Sequence, residues 1–230
     1  IIITDHHDIP DILPDTLVIN AKLEGQLYPF KELCGAGVAF KLVQAMSGLE
    51  NALQYTAIAC LATVADIVPL VNENRAIVFF GLNLQEKYLP HGVKKLIKKI
   101  DLKLPINTSA ISFKLSPKLN APGRMGDASI AYNIFVEHDD KVISENINTL
   151  LSLNDDRITQ TNKIFDDCLE KLKNVKVSTL GGIVLWDDNW EGGVLGIICS
   201  KLVERYGKPV CLLSLNDQEY KGSVRSIRSV

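Results

Sequence analysis

The stretch Ile1-Ile2-Ile3-Thr4-Asp5-His6-His7 decides how the rest of the chain is read. Three isoleucines and a threonine in succession predict a buried strand of a parallel sheet. In open α/β sheets the carboxyl ends of such strands are where ligands bind. Asp5, His6 and His7 would stand there, offering one oxygen and two nitrogen donors. That set suits Mn, Fe or Zn better than Ca. Neighbours on an extended strand point to opposite faces. If the strand end bends, one histidine would bind metal while the other faces a substrate. The chain starts inside this strand, on an isoleucine, and is read as an internal piece of a longer protein.

Composition sets the class. The 230 residues are 47% hydrophobic and 23% charged, an ordinary globular balance, enough for one large domain or two small ones. A net charge of -2 argues against a strongly basic nucleic-acid coat and leaves room for a local basic groove. The five cysteines are scattered without a Cys-x-x-Cys pair, which fits a reducing, cytoplasmic setting. No stretch is apolar for long enough to span a bilayer, so no membrane association is expected.

Outward from the first strand, Thr16–Asn20 reads as a second strand. Gly35-Ala36-Gly37 opens an apolar helix to Met46. Glu50–Val68 is apolar nearly all round and predicts one central buried helix ended by Pro69. Asn72 is read as the cap of a third helix reaching about Tyr88. Lys94, Lys95, Lys98 and Lys99 fall on a short helix after Pro90, read as a solvated face, with a phosphate track as the alternative. Asp139 to about Val175 predicts one long helix with Ile143, Ile147, Leu150 and Leu151 at helical spacing. After Gly181-Gly182 the pattern becomes strand (Ile183–Trp186), helix (Gly193–Tyr206), strand (Val210–Ser214), a second small α/β unit.

Three further constellations carry candidate chemistry. Asp66 lies in Ala62-Thr63-Val64-Ala65-Asp66-Ile67-Val68-Pro69-Leu70, where a carboxylate must be paired, cap a helix or bind a cation. In Asn120-Ala121-Pro122-Gly123-Arg124-Met125-Gly126 the glycines allow close backbone approach, and Arg124 supplies a planar fork matched to phosphate. Gly222-Ser223-Val224-Arg225-Ser226 combines hydroxyls, backbone N–H groups and a guanidinium, common means of holding a phosphodiester. The plain alternatives are a surface arginine on a turn and an ordinary strand end. Trp190-Glu191-Gly192-Gly193 precedes a helix whose N-terminus suits an anion.

In this order the pieces resemble the DHH/DHHA1 phosphoesterase superfamily, and within it the RecJ-type single-stranded-DNA-specific exonucleases. The residues that carry the resemblance are Thr4-Asp5-His6-His7, Tyr28–Ala39, Ala65–Leu70 with Glu73-Asn74-Arg75, Leu119–Met125, Leu153-Asn154, Gly193–Ile197 and Lys221–Ser226. They run from one end of the chain to the other. The resemblance implies an α/β architecture: a truncated parallel-sheet DHH domain over 1–138, a connecting helix over 139–175, and a smaller α/β DHHA1 domain over 176–230. It implies a two-metal phosphodiester hydrolase using Mn²⁺ or Mg²⁺ that degrades single-stranded DNA from 5′ to 3′ in repair and recombination. A single-strand-binding protein or a helicase is the implied protein partner. His6 and Asp66 would hold metal, Asp5 would orient the cluster and His7 would meet the scissile phosphate. Asn120, Arg124, Ser223, Arg225 and Ser226 would hold the strand.

The departures are also specific. The family's upstream Asp-x-Asp motif and a further aspartate would fall before residue 1, so the isolated chain is expected to have little or no activity. Lys118 stands where an arginine often precedes Asn-Ala, which loses the planar fork. Glu191 follows Trp190, and an acid there repels phosphate. A DHH oligoribonuclease or cyclic-dinucleotide phosphodiesterase is the rival enzyme, although Gly192-Gly193 lacks the following histidine those relatives tend to carry. A non-catalytic replication scaffold of the same fold is the third reading.

Overall fold

The computed structural model describes residues 1–227. The chain separates into two compact units. The first comprises Ile1–Leu119 with Tyr132–Ile147, the second Asn120–Ala131 with the chain from Asn148 onward.

The first unit opens with β1 (Ile2–Thr4) and β2 (Leu17–Ile19), paired in parallel with Ile3 opposite Val18. The parallel pairing is as the β-branched runs predict, but the strands are not buried: Ile1, Ile2 and Leu17 are exposed. The cause is the size of the sheet. Two strands have two edges, and burial on both faces needs layers on either side.

Helices make up the rest. They are α1 (Gly35–Ala52), α2 (Thr56–Ala65), α3 (Asn72–Asn83), α4 (Gln85–Tyr88) and α5 (His91–Lys99), then α6 (Thr108–Ala110), a π-helical stretch (Ile111–Leu115) and α7 (Ser116–Leu119). The single helix expected over Glu50–Val68 is broken. α1 is interrupted at Gly48 (φ 82°), and a 3₁₀ turn at Leu53–Tyr55 separates it from α2. α2 ends at Ala65, four residues before Pro69. It is buried nearly all round, with Ala57, Ala59, Cys60, Leu61 and Val64 in the interior, so its central place is as read. Asn72 is not the cap of α3: Val71 holds that position and makes no side-chain cap bond, and the predicted helix is split between Asn83 and Gln85. The core gathers Phe30, Leu33, Val38, Phe40, Ala59 and Ile77.

α8 (Ala121–Met125) belongs to the second unit, and α9 (Ser129–Val136) leads back to the first. The sequence division at residue 138 therefore differs from the division by contacts. Met125 packs into the second unit's core, which ties its neighbours there.

α10 (Asp140–Leu172) is one helix of 33 residues. Its buried positions are Ile143 and Ile147, then Leu150, Asn154, Thr161, Ile164, Cys168 and Leu172. Steps of 3, 4 and, from Asn154 to Thr161, 7 residues draw one stripe, the signature of a helix with one packed face.

The second unit continues with β3 (Ile183–Trp186), α11 (Leu195–Tyr206), β4 (Val210–Asn216) and β5 (Glu219–Arg225). β4 is central, parallel to β3 and antiparallel to β5. Asp217 and Gln218 close the β4–β5 hairpin with φ of 48° and 70°. Two positive φ values give a turn whose twist matches the flanking strands. Ile164, Cys168 and Leu172 of α10 meet Leu195, Ile198 and Leu202 of α11 over the strands.

Candidate active site

In the first unit, β1 stops at Thr4 and the backbone turns. The Asp5 N–H still reaches the Ile19 carbonyl at 3.0 Å, so Asp5 is the last residue held by the sheet. Its Oδ1 accepts from the His6 N–H (2.8 Å), the His7 N–H (3.3 Å) and His7 Nδ1 (2.7 Å). These bonds, the His7 ring foremost, hold the Asp5 carboxyl below its ordinary range against a small opposing burial effect. The turn changes one expectation: His6 and His7 do not take opposite faces, and their ring centroids lie 4.4 Å apart.

His6 faces Asp66. The Nδ1–Oδ2 separation is 3.7 Å, with the imidazole mostly buried and the carboxylate partly exposed. Asp66 terminates α2, its N–H donating to the Ala62 carbonyl at 2.9 Å. The chain then turns sharply, with Ile67 at φ 59°. The start of α1 lies on the other side of His6, where a side chain on Gly35 would come within 3.4 Å of the ring.

Two asparagines that the sequence reading did not assign hold these loops. Asn20, buried at the end of β2, donates to the His7 carbonyl at 3.0 Å. Asn74, buried on α3, donates to the carbonyls of Glu32 (2.6 Å) and Pro69 (2.9 Å), fixing the loop after Asp66. A polar residue directly after an apolar strand run was the available signal for Asn20.

One imidazole and one carboxylate this close would suit two ligands of a single divalent ion. Among the described residues no group of three or more His, Cys, Asp or Glu side chains converges into a complete cage. The pair thus fits part of a metal site.

In the second unit, Arg124 and the Gly-Ser-Val-Arg strand meet at the start of α11. The Arg124 guanidinium donates to the Gly193 carbonyl at 3.4 Å. Three residues on, a Cβ at Gly196 would lie 3.1 Å from the Arg225 guanidinium and 3.4 Å from Ser223 Oγ. One turn of backbone therefore has Arg124 at one side and Ser223 with Arg225 at the other. Asn120 and Ser226 are exposed, and neither makes a side-chain hydrogen bond among the described residues. A polar cavity of about 400 Å³ adjoins, lined by Glu191, Gly193, Ser214, Asn216, Lys221 and Gly222. Lys118 lies in the first unit and donates to the Lys114 carbonyl at 3.1 Å.

The chain is 37% identical over 232 residues to the single-stranded-DNA-specific exonuclease RecJ of Bacillus subtilis, a match covering 99% of the chain and 29% of the relative. The RecJ of Salmonella typhimurium is 30% identical over 259 residues, covering all of the chain and 44% of the relative. A crystal structure of exonuclease RecJ bound to manganese superposes over the whole chain and 57% of its own length, with a TM-score of 0.83 and 30% identity.

Along its whole length the chain matches a segment of RecJ-type proteins of the DHH superfamily.

It spans less than half the length of these curated RecJ relatives. A RecJ of Thermus thermophilus, solved with Mn²⁺ and with Mg²⁺, matches with TM-scores of 0.83 and 0.82 over 98% of the chain and 34% of its own length. No model of a known protein family matches the chain. The α/β architecture is that of RecJ.

Proposed function

We propose that this chain carries part of the catalytic apparatus of a metal-dependent exonuclease that degrades single-stranded DNA from its 5′ end, in DNA repair and recombination. The observation that carries the reading is the pairing of His6 with Asp66 beside the Asp5–His7 hydrogen bond, at the end of a parallel strand. The names of the relatives supply the substrate. The first unit is the DHH-type metal-binding part and the second the DHHA1-type strand-binding part.

His6 and Asp66 would hold Mn²⁺ or Mg²⁺, with further ligands from outside this chain. Such an ion supplies a Lewis acid for the scissile phosphate and acidifies water. Asp5 fixes the His7 ring through Nδ1, which leaves Nε2 as the atom that would meet the scissile phosphate, donating to it when the ring carries both protons. Arg124, Ser223 and Arg225, helped by Asn120 and Ser226, hold the backbone of the strand, and Arg124 and Arg225 do so with forked donors. All five cysteines are free thiols, and among the described residues no helix is long and apolar enough to cross a membrane. The proposed compartment is the cytoplasm, and a single-strand-binding protein or helicase is the proposed protein partner.

The test is digestion of 5′- and 3′-labelled single-stranded oligonucleotides by the protein at its full natural length, with Mn²⁺. The expected result is mononucleotide release from the 5′ end, abolished by EDTA and reduced by at least about 10²-fold in both His6→Ala and Asp66→Ala, the order of loss expected when a group serving the transition state is removed. Absence of cleavage, or full activity in both variants, would overturn the reading.

A further inference from the structure

The packed stripe of α10 contains an anomaly in the second unit. Between Leu150 and Ile164 the apolar sequence gives way to Asn154, Arg157 and Thr161, three polar residues at the same helical spacing. Asn154 and Thr161 are buried, with 4% and 6% of their surface exposed. Arg157, between them, is half-buried. Its Nη2 donates to Asn154 Oδ1 at 3.1 Å. Its Nε is buried with no hydrogen-bond partner, and the Thr161 hydroxyl one turn further on is also buried and unpartnered. Buried polar atoms are nearly always satisfied, and two orphans one turn apart require a reason.

Charge sharpens the anomaly. Among the described residues no carboxylate lies within ion-pair distance of Arg157. The charged group that acts on it is Arg124, of the same sign, and burial together with that charge holds the guanidinium below its ordinary value. A half-buried cation without a counter-ion pays a desolvation cost that no partner offsets. A guanidinium with a buried, unused Nε donor beside an orphan hydroxyl, repelled by a second guanidinium, is complementary to an anion.

We propose that Asn154, Arg157, Thr161 and Arg124 form a phosphate-binding site in the second unit, occupied by a phosphodiester of the bound single strand. The site rests on the nucleic-acid reading above for its occupant. Arg157 Nε supplies the buried donor, Thr161 the hydroxyl, and Arg124 closes the site from the surface. Asn154 sets the plane of the Arg157 fork and is a positioning residue. A free phosphate presents the same oxygens, so the experiment separates the two sources.

The experiment measures binding of a fluorescent oligothymidine by anisotropy across a KCl series, for the full-length protein and its Arg157→Gln, Arg157→Lys and Thr161→Val variants, with melting temperatures taken in parallel with and without inorganic phosphate. Arg157→Gln is expected to weaken binding about tenfold and to lower the salt slope by about 0.7, one single-strand phosphate contact. Arg157→Lys is expected to keep the slope. Thr161→Val removes the orphan hydroxyl without losing volume and is expected to weaken binding while melting no lower than wild type. A slope and affinity unchanged in Arg157→Gln, or a Thr161→Val variant that only gains stability, would overturn the site. If Arg157→Gln does not fold, the Thr161→Val result decides. Wild-type protein that binds no oligothymidine, yet is stabilised by inorganic phosphate only while Arg157 is present, would overturn the single-strand occupant and support the anion site. Stabilisation by neither ligand would overturn both.

Discussion

Gly193→Ala tests how the second unit holds Arg124. A Cβ at Gly193 would stand 1.9 Å from the Arg124 carbonyl oxygen, 2.9 Å from its carbonyl carbon and 3.3 Å from its Cα. All three are backbone atoms, so no side-chain rotation relieves the clash. The backbone around Arg124 must retreat by at least about 1 Å to regain van der Waals contact. Met125, the next residue, packs against the core of this unit, and the retreat draws it outward. Overpacking of this kind costs about 1–3 kcal/mol, and in a unit of this size each kcal/mol lowers the melting temperature by about 4–8 °C. Both tryptophans, Trp186 and Trp190, lie in the second unit, so tryptophan emission excited selectively over tyrosine reports that unit during urea unfolding. Gly181→Ala is the control, because nothing lies within 4 Å of the added atom. We expect Gly181→Ala to stay within about 0.5 kcal/mol of wild type and Gly193→Ala to lose at least about 1 kcal/mol. Equal midpoints for the two variants would refute the close approach as the reason for glycine at 193.

Two further outcomes are expected. Trp190→Phe removes the bond from the indole Nε1 to Asp167 Oδ2 (2.8 Å) and leaves a smaller, weaker π-face under the Lys171 ammonium. Asp167 is partly exposed and regains water, so the loss in urea unfolding followed by circular dichroism should be about 1–2 kcal/mol, and no measurable loss would contradict the bond. Burial pushes the thiols of Cys60 and Cys168 up to about 12 and that of Cys199 to about 11, from an ordinary value of 9.0. The folded state then binds more protons than the unfolded state above pH 9. Stability is therefore full below pH 9 and falls as pH rises through 11–12. The urea midpoint should fall less steeply over that range in Cys60→Ala, and at pH 8 the three thiols should resist dithionitrobenzoate until the protein unfolds. Rapid native modification of Cys60, Cys168 or Cys199 would contradict their burial.

What was legible in the sequence depended on whether a residue's meaning was local. The parallel pairing of Ile2–Thr4 with Leu17–Ile19 follows from β-branched runs, whereas their exposure depends on how many layers surround them. Glu50–Val68 is apolar on every side, and a run without a polar face carries no phase from which to read the break at Leu53–Tyr55. Asp66 stood out because a carboxylate among aliphatics is costly, and the structure sets it 3.7 Å from His6. Arg157 did not stand out, since a charge on a polar helix reads as solvated until the stripe through Asn154 and Thr161 is seen. β5 was read only as a strand end: Glu219–Arg225 lacks clear alternation, and the Asp217–Gln218 turn pairs it to β4. Asn20 and Asn74 act through carbonyls 13 and 42 residues away, a distance that pattern reading does not span.

The turn after Asp66 has a consequence for laboratory evolution. Ile67 is β-branched, sits at φ 59° and leaves 88% of its side chain in water, so no apolar contact offsets a backbone cost of about 1–3 kcal/mol. Glycine would adopt that conformation freely. A screen for heat tolerance alone would thus select against isoleucine at 67, and the loosened turn would set the Asp66 carboxylate free to wander from His6. On the metal role proposed for Asp66, heat tolerance and metal affinity are opposed at this one residue, and a selection that scores both is the one that keeps it.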